Sequence, residues 1–233
     1  MEILFKDLGT VDYQKAWDYQ EKLFKETLTS KLENRNHSSN TKLVHHQLIF
    51  CEHPHVYTMG KSGVQSNLLI SNEQLENIGA QFYRINRGGD ITYHGPGQIV
   101  GYPIFDLEIM QLGIKEYVYQ LEEAIIRTLG DMYIPASRLK MATGVWLDAD
   151  NASKARKICA IGVRASRFVT MHGFALNVNT NLAYFKYINP CGFIDKGVTS
   201  IEKELGVKQS MDTVKKLLLK YMREVFNADI APF

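Results

Sequence analysis

Gly144-Val145-Trp146-Leu147-Asp148, Lys157-Ile158-Cys159-Ala160-Ile161-Gly162-Val163-Arg164 and Gly173-Phe174-Ala175-Leu176-Asn177-Val178-Asn179 follow one another between positions 144 and 179. Each run is apolar and bounded by Gly, Asn or Asp, which is how strands read. The intervals between them are too short for a crossover helix, so these strands should pair antiparallel. Working outward, His46–Phe50, Gln81–Asn86 and Gln98–Phe105 read as further strands. Helical spacing predicts an amphipathic helix over 11–32 from Tyr13, Ala16, Trp17, Phe24, Leu28 and Leu32. A second runs from Ile114 through Tyr117, Leu121 and Ile125 to Leu129, and a third from Val214 through Leu218 and Met222 to Val225. Capping boxes predict two short helices, one from Ser71 with Gln74 closed by Gly79, the other from Thr199 with Glu202 closed by Gly206. The polar stretch from about Lys31 to Thr41 reads as a surface loop. Helices at both ends with strands clustered between predict an α+β (mixed α/β) layered fold, organised as a single domain over 1–233.

A length of 233 residues with 45% hydrophobic residues lets one core form without disulfide or metal staples. Lys+Arg 27 against Asp+Glu 25 leaves a net charge of +2, too weak a field to imply a nucleic-acid or membrane partner. Three cysteines, at 51, 159 and 191, do not make a disulfide framework. With no basic and apolar leader at Met1–Lys6, a reducing, cytoplasmic setting is the expectation.

Two glycine motifs do not hold a nucleotide. Gly60-Lys61-Ser62 imitates the end of a phosphate loop, but His55 stands where the first glycine belongs. Gly95-Pro96-Gly97 leads into a strand, so no helix N-terminus meets a pyrophosphate. Cys51, His53 and His55 alternate as metal ligands on a strand would, yet Pro54 interrupts and no zinc spacing follows; ordinary polar histidines are the simpler reading. The densest unusual stretch is Arg87-Gly88-Gly89-Asp90-Ile91-Thr92-Tyr93-His94-Gly95-Pro96-Gly97-Gln98. Its glycines allow close approach of main chain to a ligand, and loops on rigid sheets are where sites gather.

Among the thiols, Cys159 lies in an apolar run and reads as a small buried hydrophobe. Cys51 ends a strand beside Glu52, a poor neighbour for a thiolate. Cys191, in the Pro190/Gly192-framed loop, is the favoured nucleophile, with no catalytic thiol at all as the alternative that spacing alone leaves open. Its candidate activators are Lys157, His94 and His172; a solvated strand-end lysine is the simpler reading of Lys157.

These residues together resemble the lipoyl(octanoyl) transferase family. Five blocks match in order: Glu52-His53-Pro54 with Val56–Gly60, Arg87–Gln98 continuing to Tyr102-Pro103, Lys157–Arg164, His172–Val178, and Ile188-Asn189-Pro190-Cys191-Gly192. The resemblance implies a fold similar to the catalytic domains of biotin and lipoate protein ligases, and an acyltransferase moving an octanoyl group. The donor would be octanoyl-acyl carrier protein. The acceptors would be lysines of lipoyl domains in 2-oxoacid dehydrogenase subunits and of the glycine cleavage H protein. It implies Cys191 as the acyl-thioester nucleophile and Lys157 as the lysine that lowers its pKa, with no cofactor or metal. Substrate-binding positions would be Arg87, Gly88, Gly89, Asp90, Ile91, Thr92, Tyr93 and His94, then Ala160, Ile161 and Gly162, and Gly173, Phe174 and Ala175. Cys159 departs from the family's usual Ala, in keeping with a small hydrophobe. An ATP-dependent lipoate protein ligase and a non-catalytic acyl-binding module are the rival readings.

Overall fold

The computed structural model describes residues 1–36, 44–189 and 197–232. In chain order the elements are β1 (Glu2–Thr10), α1 (Tyr13–Asn36), β2 (His46–Glu52), β3 (Val56–Met59), α2 (Asn72–Asn77), β4 (Gln81–Arg84), β5 (Ile91–His94), β6 (Gln98–Ile104) and α3 (Ile114–Gly130). They continue with β7 (Ser137–Leu139), β8 (Ala142–Leu147), β9 (Arg156–Ser166), β10 (Val169–Asn177), β11 (Gly197–Val198), α4 (Ile201–Leu205), α5 (Met211–Phe226) and β12 (Asp229–Pro232). The large sheet runs β12-β1-β2-β6-β10-β9-β8-β7, with β11 added to β9. As the short connections require, β8, β9 and β10 pair antiparallel. A separate small sheet runs β4-β3-β5.

Alternation along each strand divides the core into two layers. Leu48, Phe50, Ile99, Phe174, Leu176 and Val178 pack against Tyr117, Leu121 and Ile125 of α3 and Val214, Leu218 and Met222 of α5. Their neighbours Ile49, Cys51, Val100, Tyr102 and Ala175 pack beneath Ala16, Leu23 and Phe24 of α1. The small sheet has a core of its own, from Tyr57, Met59, Ile91 and Tyr93 to Ile188.

The structure moves several boundaries. Residues 31–36 continue α1 instead of looping out, because Lys31 is buried and bonds Asp106 (2.6 Å) and Glu108 (2.8 Å), while Arg35 pairs Glu108. The rest of the polar stretch, 37–41, lies outside the described residues. The cap of α4 is Ser200, whose side chain accepts from the Lys203 N–H, and not Thr199, whose hydroxyl is taken by Glu204. Ser71 and Gln74 form the expected reciprocal box on α2. Strands β1 and β12, which no alternation announced, pair parallel to each other, with β12 at the edge of the sheet and β1 between it and β2. No helix among the described residues is long and apolar enough to cross a membrane.

Candidate functional site

A cavity of about 450 Å³ opens between β9 and β10 of the large sheet and the loop that joins β4 to β5. The strands form its floor and the loop its roof. Roof meets floor at one backbone bond, Gly88 N–H to the Val163 carbonyl (2.9 Å). The approach needs glycine opposite it: a Cβ at Gly162 would lie 2.9 Å from the Gly88 carbonyl oxygen and 3.1 Å from Arg87 Cδ. Within the floor, a Cβ at Gly173 would lie 2.2 Å from the Gly101 carbonyl oxygen, so β10 and β6 close fully only without one.

The resemblance-derived positions converge here from three separated stretches. Lys157, Arg87 through Thr92, His94, Ala160 through Gly162 and Gly173 through Ala175 all line the cavity. Tyr93 does not. On β5 it alternates away with its ring buried against Tyr57 (5.4 Å) and Tyr184 (5.0 Å), and its hydroxyl lies 2.7 Å from His55 Nδ1. Cys191 lies outside the described residues. The described chain ends before it at Asn189 and resumes at Gly197, where β11 pairs Val198 with Lys157.

Lys157 is half-buried, with its Nζ 4.7 Å from the centre of the Trp146 ring. Its carbonyl accepts from Thr199 N–H (2.9 Å). Gly144 makes room beside it: at φ +119, a Cβ there would meet the Cys159 carbonyl oxygen at 2.5 Å. Arg87 is buried and fixes the roof to β3, donating through Nη2 to the Thr58 carbonyl (2.6 Å) and hydroxyl (3.1 Å).

His94 occupies a chain of bonds that sets its tautomer. Nδ1–H donates to Gln98 Oε1 (2.8 Å), and Nε2 accepts from the Thr58 hydroxyl (3.3 Å), whose lone pair is already engaged by Arg87. Gln98 Nε2 then donates to Asn177 Oδ1 (2.8 Å), and Asn177 Nδ2 to the Thr199 carbonyl (3.0 Å). Burial, aided by neighbouring His53 and Arg87, pushes the His94 pKa down to about 3. His172 is held differently: φ is +59 inside β10, its N–H donates to Gln20 Oε1 (3.1 Å) and its Nε2–H to Asn86 Oδ1 (2.8 Å). Such a backbone persists only where surroundings over-determine it. Burial, with Arg87 and Arg164 nearby, also pushes it to about 3. Both imidazoles are therefore neutral at physiological pH.

Burial pushes the Cys51 and Cys159 thiols far up, so neither supplies a thiolate. Cys51 Sγ sits 3.4 Å from His53 Nε2, and His53 spends its nitrogens on the Val11 carbonyl (2.8 Å) and the Tyr102 hydroxyl (2.7 Å). His55 stacks on Tyr184 (4.0 Å) instead of joining them. Among the described residues no three His, Cys, Asp or Glu side chains gather as metal ligands. Sequence reasoning quoted Gln98 and Asn177 only inside longer blocks and gave them no role, although both are polar residues at inward positions of apolar strands. It also gave no site role to Tyr13, Trp146, or Met141 with Ala142 and Thr143 at the start of β8, all of which line the cavity.

Comparison with known proteins follows the same lines. A family model described as the lipoyl protein ligase A/B catalytic domain matches residues 12–223. The octanoyltransferase of Cytophaga hutchinsonii is 57% identical over 229 residues, covering 98% of this chain and 94% of that protein. A structure from the study of a bi-partite lipoate protein ligase and its E2 lipoyl domain from Thermoplasma acidophilum superposes with a TM-score of 0.72 at 16% identity, over 100% of this chain and 87% of that one. The biotin protein ligase from Aquifex aeolicus in complex with biotin and ATP gives 0.53 at 13% identity, over 96% and 70%. The two structures establish a shared fold. The sequence matches go further: this chain belongs to the lipoyl(octanoyl) transferase family, within the lipoyl protein ligase A/B catalytic-domain group.

Proposed function

We propose that the chain, working as one catalytic domain, is an octanoyltransferase that carries its acyl group on Cys191. The Cys191 thiolate attacks the thioester carbonyl of octanoyl-acyl carrier protein. A new C–S bond forms, and the carrier's thiolate departs and is protonated. The ε-amine of a lipoyl-domain lysine then attacks the Cys191 thioester, a C–N bond forms, and the Cys191 thiolate leaves. Lipoyl domains of 2-oxoacid dehydrogenase subunits and the glycine cleavage H protein are the acceptors. Exchange between thioesters is nearly isoenergetic and amide formation runs downhill, so the reaction needs no nucleotide.

The Lys157 ammonium favours the thiolate, and in its neutral form takes the proton of the attacking amine. Ala160, Ile161, Phe174 and Ala175 offer the alkyl chain an apolar floor. His94 and His172, held neutral, shape the cavity. The observation that carries this reading is convergence: Lys157, the glycine-rich loop and the strand flanking the Cys191 segment border one cavity.

Intact-mass spectrometry after mixing with octanoyl-acyl carrier protein, without ATP, tests it. One hydroxylamine-sensitive octanoyl adduct is expected, absent in Cys191→Ala and discharged by a lipoyl domain. In Lys157→Ala, loading should slow by roughly 10²- to 10⁴-fold. Transfer only from free octanoate with ATP would instead make the chain a ligase, as its fold relatives are. Bound octanoate with neither reaction would leave an acyl-binding module.

A further inference from the structure

Residues 60–69 bond both the roof loop and the chain at 187–189 while lining no part of the cavity. The N–H groups of Gly60, Lys61 and Ser62, whose sequence imitates a phosphate loop, donate to the carbonyls of Asp90 (3.1 Å), Arg87 (3.0 Å) and Gly89 (3.2 Å). They are thus spent on the roof loop. Seven residues after Gly60, Asn67 donates through Nδ2 to Asp90 Oδ2 (2.5 Å), while Asp90 Oδ1 accepts from Ile91 N–H (2.7 Å). The same Asn67 accepts through its carbonyl from Asn189 N–H (2.9 Å). Leu68 bridges Ile188, and Leu69 N–H donates to the Tyr187 carbonyl (2.9 Å). Asn189 is two residues from Cys191.

We propose that Asn67 is a positioning residue that sets the separation between the acyl-cavity roof and the chain leading to Cys191. Its amide holds the roof at Asp90, and its main-chain carbonyl holds the chain at Asn189, two residues before Cys191. The bond to a carboxylate is of the strong, charge-assisted kind, so it fixes Asp90 in place rather than merely permitting contact. This assignment rests on the reading of Cys191 as nucleophile.

Single-turnover loading of the full chain by octanoyl-acyl carrier protein, followed by intact mass, tests it. Asn67→Asp sets two carboxylates face to face, so maximal loading should fall about tenfold to a hundredfold. Half-saturation by the carrier should stay within about twofold, because no cavity contact is lost. In an Asp90→Asn background the same Asn67→Asp change restores a donor–acceptor pair with roles reversed. There it should raise the loading rate instead of lowering it. That reversal distinguishes positioning from general damage, which thermal melts of all four proteins monitor. Loading by Asn67→Asp at the wild-type rate, or an equal loss in both backgrounds, would overturn the proposal. A wild-type adduct that persists in Cys191→Ala would overturn the nucleophile reading, and this proposal with it.

Discussion

The floor of the cavity is a continuous ladder in which β10 matches β9 from Val169↔Ser166 to Leu176↔Cys159. The roof, residues 87–90, holds no such register and hangs on single bonds: one to Val163, the Arg87 bonds to Thr58, three from residues 60–62, and one from Asn67. A ladder spreads any disturbance over many bonds and resists it. A roof held at separate points yields locally, so adjustment of the site to its acyl group belongs there.

The largest expected effect compares a histidine of the floor with one on the strand that follows the roof loop. His94, on β5 beyond the roof loop, and His172, on β10 of the floor, both have pKa values pushed down to about 3 by burial. Unfolded, they take up a proton near pH ~6.5. Their contribution to stability is therefore complete above about pH 6.5 and is lost as the pH falls toward 3, at about 1.4 kcal/mol per pH unit for each. Denaturant melts at pH 7, 6 and 5 should show this slope, and His94→Gln or His172→Gln should each remove one proton's worth of it. A slope that only His172→Gln changes would mean that the small sheet carrying His94 opens before the floor unfolds.

Next in size is Gly173→Ala, which drives a Cβ to 2.2 Å from the Gly101 carbonyl oxygen and 2.6 Å from Pro103 Cδ. Both belong to the neighbouring strand, so the loss of unfolding free energy should reach about 3 kcal/mol. Gly162→Ala meets the roof instead and should cost only about 1 kcal/mol, because the loop can lift by a few tenths of an ångström. Its signature should be a shift of loading preference toward shorter acyl groups. Equal losses for the two variants would erase the distinction between rigid floor and yielding roof.

The same distinction explains what could be read from sequence. Floor strands announce themselves by alternation and apolar content, and β8, β9 and β10 lie where those cues put them. The roof announces itself only by glycine density, which marks Arg87–Gly89 as unusual without saying what holds them. Tyr93 shows the cost of taking a block of consecutive residues as one surface: alternation on β5 turns Tyr93 into the small core and off the cavity, while Thr92 and His94 face the cavity and Ile91 borders both. Ser200 displaced Thr199 because capping depends on which residue leaves the helical path, and Ser and Thr cap almost equally well. Lys31 and Arg35 look like loop residues until their carboxylate partners, more than 70 positions away, are in view.

The length of β9 limits how this site can change. Lys157 and Val163, the residue that meets the roof, are six positions apart, about 20 Å of extended chain. Removing one residue between them would turn every side chain beyond it to the opposite face and put Ala160, Ile161 and Gly162 out of register with the roof. Backbone length can thus be edited only in pairs of residues, a step of roughly 7 Å. Finer grading of acyl length is left to side-chain volume at Ala160 and Gly162, two of the smallest residues the floor could carry there.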